Sequence, residues 1–114
     1  MRKLFITISI LFMCGSAWAE VGIASYYGNG EKLNRCTANG EVFDPTAMTC
    51  ATYAWPFNTV LKVTNTDNGK SVIVRVNDRG PNKRLGRIID LSREAFKKIA
   101  PLSKGVVYVK IERR

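Results

Sequence analysis

One carboxylate stands where an alternating apolar segment of the chain ends. Residues 71–76 read Ser-Val-Ile-Val-Arg-Val, a pattern that predicts a half-buried β-strand. Asp78 follows this strand, and the pair Gly80-Pro81 then turns the chain out of the sheet. Rigid strand ends commonly hold reactive groups. Asp78 is therefore a candidate reactive carboxylate, although the same spacing also fits a residue that caps the turn or pairs with Arg79.

Composition narrows the chemistry that is open to this carboxylate. The chain contains no histidine, so Ser-His-Asp and Cys-His mechanisms are excluded, and the commonest ligand of zinc is absent. A second carboxylate, Glu41, follows directly on the tight-turn dipeptide Asn39-Gly40. Glu41 is either part of the same site or a solvated residue after a turn.

The amino-terminal segment has the parts of a secretory signal peptide. A basic start, Met1-Arg2-Lys3, precedes an apolar run of 11 residues, Leu4 to Cys14, and residues 15–19 end in Ala-Trp-Ala. The run is shorter than the roughly 20 residues that span a bilayer. We expect residues 1–19 to be removed and the protein to be exported, periplasmic or secreted, without a transmembrane segment. A buried strand or a membrane anchor is the alternative.

The predicted cleavage defines the mature chain. The two residues before Cys14 are large and apolar, whereas lipoprotein cleavage requires a small residue there, so we expect no lipid anchor. Residues 20–114 are long enough for one compact domain with a modest core. Loss of Arg2 and Lys3 lowers the formal net charge from +9 to +7. This charge favours an anionic partner, which outside the cytoplasm is cell-wall polymer or membrane surface more than nucleic acid.

Two cysteines remain in the expected mature domain, Cys36 and Cys50. An even pair in a small exported domain predicts a disulfide. In the chain-entropy model, closing a loop of about 15 residues would contribute roughly 3 kcal/mol to the free energy of unfolding. Two free thiols are the alternative.

Short strands dominate the predicted secondary structure. The clearest signal is a hairpin in which residues 60–66 and 70–77 flank the turn Asp67-Asn68-Gly69. Residues 46–53 fit either a helical turn or a strand. Further strands are expected at residues 21–27, 87–91 and 106–112.

One short helix completes the predicted fold. Ser92 is a credible N-cap for a helix of about two turns over residues 93–100, which Pro101 ends. Five or six short strands with one helix indicate a mainly β fold, a small closed or nearly closed barrel.

Several short motifs follow one another along the chain. They are GIASYYG at residues 22–28, TANGEVF at 37–43, VTN at 63–65, NG at 68–69, VRVNDRGP at 74–81 and RIIDLS at 87–92. Together they resemble the rare lipoprotein A (RlpA) family, whose catalytic domain is a double-psi β-barrel. The resemblance spans residues 21–111 and implies a six-stranded double-psi barrel with one short helix.

The resemblance also implies an activity. Characterised members of the family are endolytic lytic transglycosylases that cut peptidoglycan glycan strands, preferably strands without stem peptides, and leave 1,6-anhydro ends. The sugar's own 6-hydroxyl is the nucleophile, so one residue can act first as acid and then as base. No metal or organic cofactor is implied. The expected partner is the glycan strand, and nothing indicates an obligate oligomer, so we expect a monomer.

The family pattern assigns residues in this chain. Its acidic pair falls on Glu41 and Asp78, which are the predicted catalytic residues. A histidine of the family's active site falls on Thr52, so this chain departs from the pattern there. The predicted substrate-binding residues are Tyr27, Thr52, Asn77 and Arg79, and Arg79 is expected to point away from Asp78.

Two other functions stay open. An expansin-like module, non-catalytic or weakly active because Thr52 replaces the histidine, would bind or loosen the same glycan. A small basic effector acting on membranes or competing cells is less well supported, because residues 93–100 are too short for stable interfacial binding. Lys83, Arg84 and Arg87 form either a solvated basic loop or a contact for wall polymer.

Overall fold

A computed structural model of the chain describes residues 19–27, 36–82 and 86–114. Within these ranges it forms six β-strands, one α-helix and one short 3-10 helix. In chain order they are β1 (Ala19–Tyr27), β2 (Thr49–Ala51), β3 (Val60–Asn65), β4 (Ser71–Asp78), β5 (Ile89–Ser92), α1 (Arg93–Lys97), the 3-10 helix (Leu102–Lys104) and β6 (Val107–Arg113). Residues 1–18 of the predicted signal peptide, together with Lys83 and Arg84, lie outside the described residues.

The strands of the described chain close into one barrel in the order β1-β5-β2-β4-β3-β6, and β6 pairs with β1. The pairs β1–β5 and β2–β4 are parallel, and the other four pairs are antiparallel. This mainly β barrel with one short helix confirms the predicted fold class, a six-stranded barrel of double-psi type. No helix in the described part of the chain is long and apolar enough to cross a membrane.

Apolar side chains at every second position of the strands point inward and fill the barrel interior. The predicted hairpin is confirmed, because β3 and β4 pair in a register that sets Leu61 opposite Val74 and Val63 opposite Val72. Fully burying an apolar side chain of this size contributes roughly 1.5–3 kcal/mol. The large fully buried side chains include Leu61, Val63, Val74, Val76, Ile89, Leu91, Phe96, Ile99, Val109 and Ile111.

The helix begins as predicted and ends earlier. The Ser92 Oγ accepts a hydrogen bond from the Ala95 N–H at 3.2 Å, which confirms the N-cap. The hydroxyl of Ser92 also donates to the Ala47 carbonyl at 2.6 Å, so the cap ties the helix to the segment before β2. The α-helix ends at Lys97 instead of residue 100, because the next N–H groups bond three residues back in a tighter turn before Pro101.

Residues 46–53, whose sequence fits either a helical turn or a strand, contain the shortest strand of the described chain. Strand β2 has only three residues, and all three are buried. It lies between β4 and β5 and pairs with both. Backbone partners on both sides stabilise a strand that local propensity alone does not specify.

Candidate active site

Three strands of the barrel form the floor of the candidate site. Ala51 on β2 pairs with Asp78 on β4 and with Asp90 on β5, so the two carboxylates share one row with an alanine between them. Residues in one row of a sheet point to the same face. Two strand spacings separate the Cα atoms of Asp78 and Asp90 by roughly 10 Å. A register shift between Cys50 and Ala51 brings Asp78 into this row.

The Asp78 carboxylate lies in the wall of an open pocket of about 370 Å³. Its Oδ1 accepts hydrogen bonds from the N–H groups of Ala38, at 2.9 Å, and Arg79, at 2.8 Å. Among the described residues no hydrogen bond reaches Oδ2. Backbone donors thus fix the orientation of the carboxyl group through Oδ1. Tyr27, Phe43 and Arg79 also line this pocket, with the segment 36–38.

The second predicted catalytic residue, Glu41, is held in an ion pair. Its two carboxylate oxygens accept hydrogen bonds from the two terminal nitrogens of Arg75, each at 2.8 Å, and Oε1 accepts a further bond from Asn77 Nδ2 at 3.1 Å. The bonds from Arg75, followed by the bond from Asn77, lower the pKa of Glu41 to about 2. Glu41 is therefore a carboxylate at the pH of a cell envelope and has no proton to donate.

This ion pair predicts a pH-dependent contribution to stability. The pKa of Glu41 falls from 4.5 to about 2 on folding, so the contribution is complete above about pH 4.5 and is lost as the pH falls through 2. We expect Glu41→Gln to lower the melting temperature at pH 7 and the difference from wild type to shrink toward zero at pH 2. Thermal unfolding followed by circular dichroism between pH 7 and pH 2 measures this.

The control for that measurement is Glu112→Gln, which removes one negative charge from β6. The Glu112 carboxylate lies 3.8 Å from Lys110 without the bidentate geometry of the Glu41 pair. A difference between Glu41→Gln and wild type that stayed constant from pH 7 to pH 2 would contradict the lowered pKa of Glu41.

Thr52 does not contribute its side chain to the pocket. Its side chain is fully buried, and its hydroxyl donates to the Ile88 carbonyl and accepts from the Ala54 N–H, both at 3.1 Å. A fully buried hydroxyl with two backbone partners contacts neither carboxylate. The predicted substrate-binding role of Thr52 stays a prediction, and in this structure its side chain lies behind the pocket and bonds backbone groups. Its backbone N–H donates to the Asp78 carbonyl at 3.2 Å, which ties the end of β2 to the end of β4.

Arg79 points away from the Asp78 carboxylate, as expected. One terminal nitrogen donates to the carbonyls of Thr52, at 2.7 Å, and Trp55, at 2.8 Å. The guanidinium carbon lies 4.1 Å from the centre of the Phe57 ring, in a cation–π contact. The Arg79 side chain therefore orders the segment after β2. Its contact with the Asp78 carboxylate is made by the backbone N–H and not by the guanidinium group.

Of the other two predicted substrate-binding residues, Tyr27 lines the pocket and Asn77 does not. Tyr27 lines the pocket, with its ring tilted against Phe43 at a centroid distance of 5.1 Å. Burial raises the pKa of Tyr27 well above its ordinary value, and the carboxylates of Asp78 and Asp90 add to the shift, so the phenol stays neutral. Asn77 is buried and bonds Glu41, so it supports the site from behind and does not line the pocket.

The structure adds a carboxylate that the sequence interpretation did not single out, Asp90, which shares the row of Asp78 without lining its pocket. Ser25 Oγ donates to Asp90 Oδ1 from the neighbouring strand, and Arg87 donates to the same serine oxygen at 3.3 Å. The signal was present in the sequence, because Asp90 stands between the core residues Ile89 and Leu91 and must face outward by strand alternation. Its place beside Asp78 depends on β2 lying between β4 and β5, which the sequence does not reveal.

The predicted disulfide is absent from the structure. Cys36 and Cys50 are both free thiols, the first exposed and the second fully buried in the core. Burial raises the pKa of Cys50 to about 12, so its thiol stays protonated and unreactive. Cys50 belongs to the hydrophobic core cluster, whereas Cys36 is exposed. Within the described ranges no cluster of three or more cysteines and carboxylates could hold a metal ion.

Sequence comparison assigns the chain to a family. A family model described as "Lytic transglycolase" matches residues 19–111. The chain belongs to this family. A Nostoc protein named "Probable endolytic peptidoglycan transglycosylase RlpA" is 53% identical over 92 residues, which are 80% of this chain and 24% of the relative. The Vibrio cholerae "Endolytic peptidoglycan transglycosylase RlpA" is 50% identical over 95 residues, 83% of this chain and 35% of the relative. The chain thus spans well under half the length of these relatives.

Solved structures share the barrel. The Streptomyces papain inhibitor aligns with a TM-score of 0.63 and 27% identity, over 83% of this chain and 93% of the inhibitor. A mutant Clavibacter michiganensis expansin in complex with cellohexaose aligns with a TM-score of 0.66 and 22% identity, over 84% of this chain and 50% of the expansin. At this identity the likeness to the expansin shows the fold alone.

Proposed function

We propose that this domain is an endolytic lytic transglycosylase that cuts peptidoglycan glycan strands, preferably strands without stem peptides, and leaves 1,6-anhydro ends. The observation that carries the proposal is the Asp78 carboxyl in an open pocket, with Oδ1 fixed by two backbone N–H groups. The names of the RlpA relatives and the formal net charge of +7 of the expected mature chain support an anionic wall polymer as substrate.

In this reaction Asp78 acts twice. The protonated Oδ2 gives its proton to the glycosidic oxygen, and the bond between that oxygen and the anomeric carbon breaks with the electron pair going to oxygen. The 6-hydroxyl of the same sugar then attacks the anomeric carbon, and its proton returns to Asp78. The acid is regenerated, no water is consumed, and the new end is a 1,6-anhydro sugar.

Glu41 serves this reaction as a positioning residue. Its loop, residues 37–41, carries the Ala38 N–H that binds Asp78 Oδ1. The loop is anchored to β4 by the ion pair with Arg75, by the amide of Asn77, and by the backbone bond from the Asn39 N–H to the Asn77 carbonyl at 3.3 Å. The ion pair therefore fixes the donor that orients the acid.

Asp90 supplies the second charge of the site. A carboxylate across the floor from Asp78 stabilises the positive charge that develops at the anomeric carbon. At about 8 Å and an effective dielectric constant of about 20 this interaction is worth roughly 2 kcal/mol, or about 30-fold in rate.

Asp90→Asn is therefore expected to lower kcat about 30-fold and to leave KM nearly unchanged, because the charge acts on the transition state more than on the bound strand. Steady-state kinetics on purified glycan strands separate the two constants. The matched control is Glu94→Gln on α1, a half-buried carboxylate whose contact is Arg93 at 3.6 Å. A rise in KM with unchanged kcat would contradict the assigned role of Asp90.

Product analysis tests the proposed function. The mature domain is incubated with peptidoglycan glycan strands stripped of stem peptides, and the fragments are analysed by mass spectrometry. Fragments with 1,6-anhydro ends are the expected result. Fragments heavier by one water would identify a hydrolase, whose inverting form also uses two separated carboxylates. Binding without any fragments would leave an expansin-like module and would overturn the proposed activity.

The site of action follows from the substrate. Glycan strands lie outside the cytoplasmic membrane, so the domain acts in the periplasm or at the cell surface after removal of residues 1–19. The basic amino-terminal start and the apolar run that follows it support export of the protein. A monomer suffices for the proposed reaction, because one chain carries Asp78 and the other residues to which the proposal gives a role.

A further inference from the structure

A second pocket opens beside the one that holds Asp78. It has a volume of about 290 Å³. Consecutive residues line the two pockets, since Arg79 lines the first, and Gly80 and Pro81 line the second. Tyr53 and Ala54 form another wall, directly after Thr52, whose N–H holds the end of β4. The two pockets therefore flank the chain segment that carries the candidate acid.

The lining of the second pocket combines an exposed aromatic ring with two charges. Tyr53 is 56% exposed, and Pro81 and Ile88 add apolar surface. Arg87 contributes a guanidinium group, one nitrogen of which donates a hydrogen bond to Ser25. A guanidinium group carries five N–H donors, so it has the capacity to bond Ser25 and a ligand together. Glu20 adds a carboxylate that accepts from hydroxyl or amide donors. An aromatic face, a cation and an acceptor together suit an acidic, N-acetylated sugar.

Thr52 and Arg79 build this pocket. The Thr52 hydroxyl joins two of its walls, because it bonds the Ala54 N–H and the Ile88 carbonyl. Arg79 holds the carbonyls of Thr52 and Trp55 and so fixes the segment that bears Tyr53. Ile88 is set against Gly22, where a Cβ atom would lie only 2.6 Å from the Ile88 side chain. The walls are thus held in place without a ligand.

We propose that the second pocket is a sugar subsite that binds the glycan strand on the far side of the cleaved bond, with Tyr53 stacked on a sugar ring and Arg87 bound to the lactyl carboxylate of a muramic sugar. The proposal rests on the proposed function for its substrate. An endolytic cut requires the strand to continue past the acid in both directions, and the two pockets lie beside the segment that carries Asp78. Thr52, which stands where the family has histidine, here serves binding through the pocket wall.

The test separates binding from cutting. Glycan strand binding is measured by calorimetry on Asp78→Asn, which binds without turnover, with and without Tyr53→Ala. Loss of the ring is expected to weaken the Kd about tenfold. The matched control is Tyr108→Ala, since Tyr108 is 58% exposed on the outer face of β6 and lines neither pocket. Cleavage kinetics of the corresponding single variants are expected to show the same tenfold rise in KM.

The variant Arg87→Gln tests whether the guanidinium charge of Arg87 binds the lactyl carboxylate. It is expected to weaken binding of peptidoglycan strands about tenfold and to leave binding of neutral chitin oligosaccharides, which lack the lactyl carboxylate, unchanged. Circular dichroism checks that loss of the contact with Ser25 leaves the barrel folded. Equal weakening for both ligands would overturn the assignment of the carboxylate to Arg87.

The outcomes distinguish this proposal from the proposed function. If wild type cuts strands and Tyr53→Ala behaves as Tyr108→Ala does, the subsite is overturned and the transglycosylase activity stands. If wild type binds strands without cutting and Tyr53→Ala weakens binding, the subsite is supported and the activity fails. If the strands do not bind at all, both are overturned.

Discussion

Replacing Asp78 by asparagine is expected to lower the rate of 1,6-anhydro fragment formation by about 10²–10⁴-fold, the usual contribution of general acid–base catalysis. The amide keeps the oxygen that accepts from Ala38 and Arg79, so the local structure is retained, but it has no acidic proton to give to the glycosidic oxygen. Binding of glycan strands is expected to change by less than about threefold, because the substitution removes a transition-state interaction. Fragment analysis by mass spectrometry and calorimetric binding measure the two effects.

The control for this prediction is Asp67→Asn in the turn between β3 and β4. Asp67 is exposed, and its backbone N–H bonds the Asn65 side chain at 2.9 Å, so the turn geometry survives the change. Asp67→Asn should cut strands as wild type does. Anhydro fragments released by Asp78→Asn at more than about a tenth of the wild-type rate would show that Asp78 is not the acid.

The parts of the fold that sequence predicted are those with local causes. The hairpin of β3 and β4 follows from period-2 alternation on both sides of Asp67-Asn68-Gly69, and Gly69 adopts the positive φ that such a turn requires. The N-cap at Ser92 follows from one hydroxyl before a helical segment. The position of Asp78 at the end of β4 follows from an alternating segment that stops just before Gly80-Pro81. Each signal lies within a few residues of what it determines.

The parts that sequence missed depend on contacts between distant residues. Strand β2 is stabilised by β4 and β5, which follow it by more than 20 residues, so its own three residues carry no clear pattern. The pairing of Glu41 with Arg75 joins residues 34 positions apart and makes one of the two predicted catalytic residues an ion-paired carboxylate. The row of Asp78 and Asp90 exists only because β2 separates their strands by one position.

These contacts change how the departure at Thr52 is understood. From sequence, the absence of the family histidine weakens the predicted site. In the structure Thr52 bonds two backbone groups in the wall of the second pocket, and its N–H holds the end of β4 that carries Asp78. The carboxyl group of Asp78, the proposed acid, is oriented by the N–H groups of Ala38 and Arg79, which a substitution at position 52 does not remove. The substitution therefore alters the surroundings of the acid and leaves its hydrogen bonds intact.

Replacing Phe96 by alanine is expected to lower the free energy of unfolding by about 3–5 kcal/mol, the usual cost of truncating a buried phenylalanine. Phe96 is fully buried on α1, with its ring 4.7 Å from the ring of Tyr26 on β1, and the Tyr26 hydroxyl donates to the Leu102 carbonyl at 3.1 Å. Truncation leaves a cavity between helix and barrel and removes the aromatic contact. For a domain of this size the melting temperature should fall by roughly 15–30 °C. Urea denaturation followed by circular dichroism measures the loss.

Two further variants show whether packing is the cause. Phe96→Leu keeps most of the apolar volume and should lose less than about half as much stability as Phe96→Ala. Tyr108→Ala removes an aromatic ring that is 58% exposed and should change the free energy of unfolding by less than about 0.5 kcal/mol. Because α1 lies away from both pockets, Phe96→Leu should cut glycan strands at the wild-type rate at temperatures where it is folded. Equal losses of stability in Phe96→Ala and Tyr108→Ala would contradict the assigned packing of the helix against the barrel.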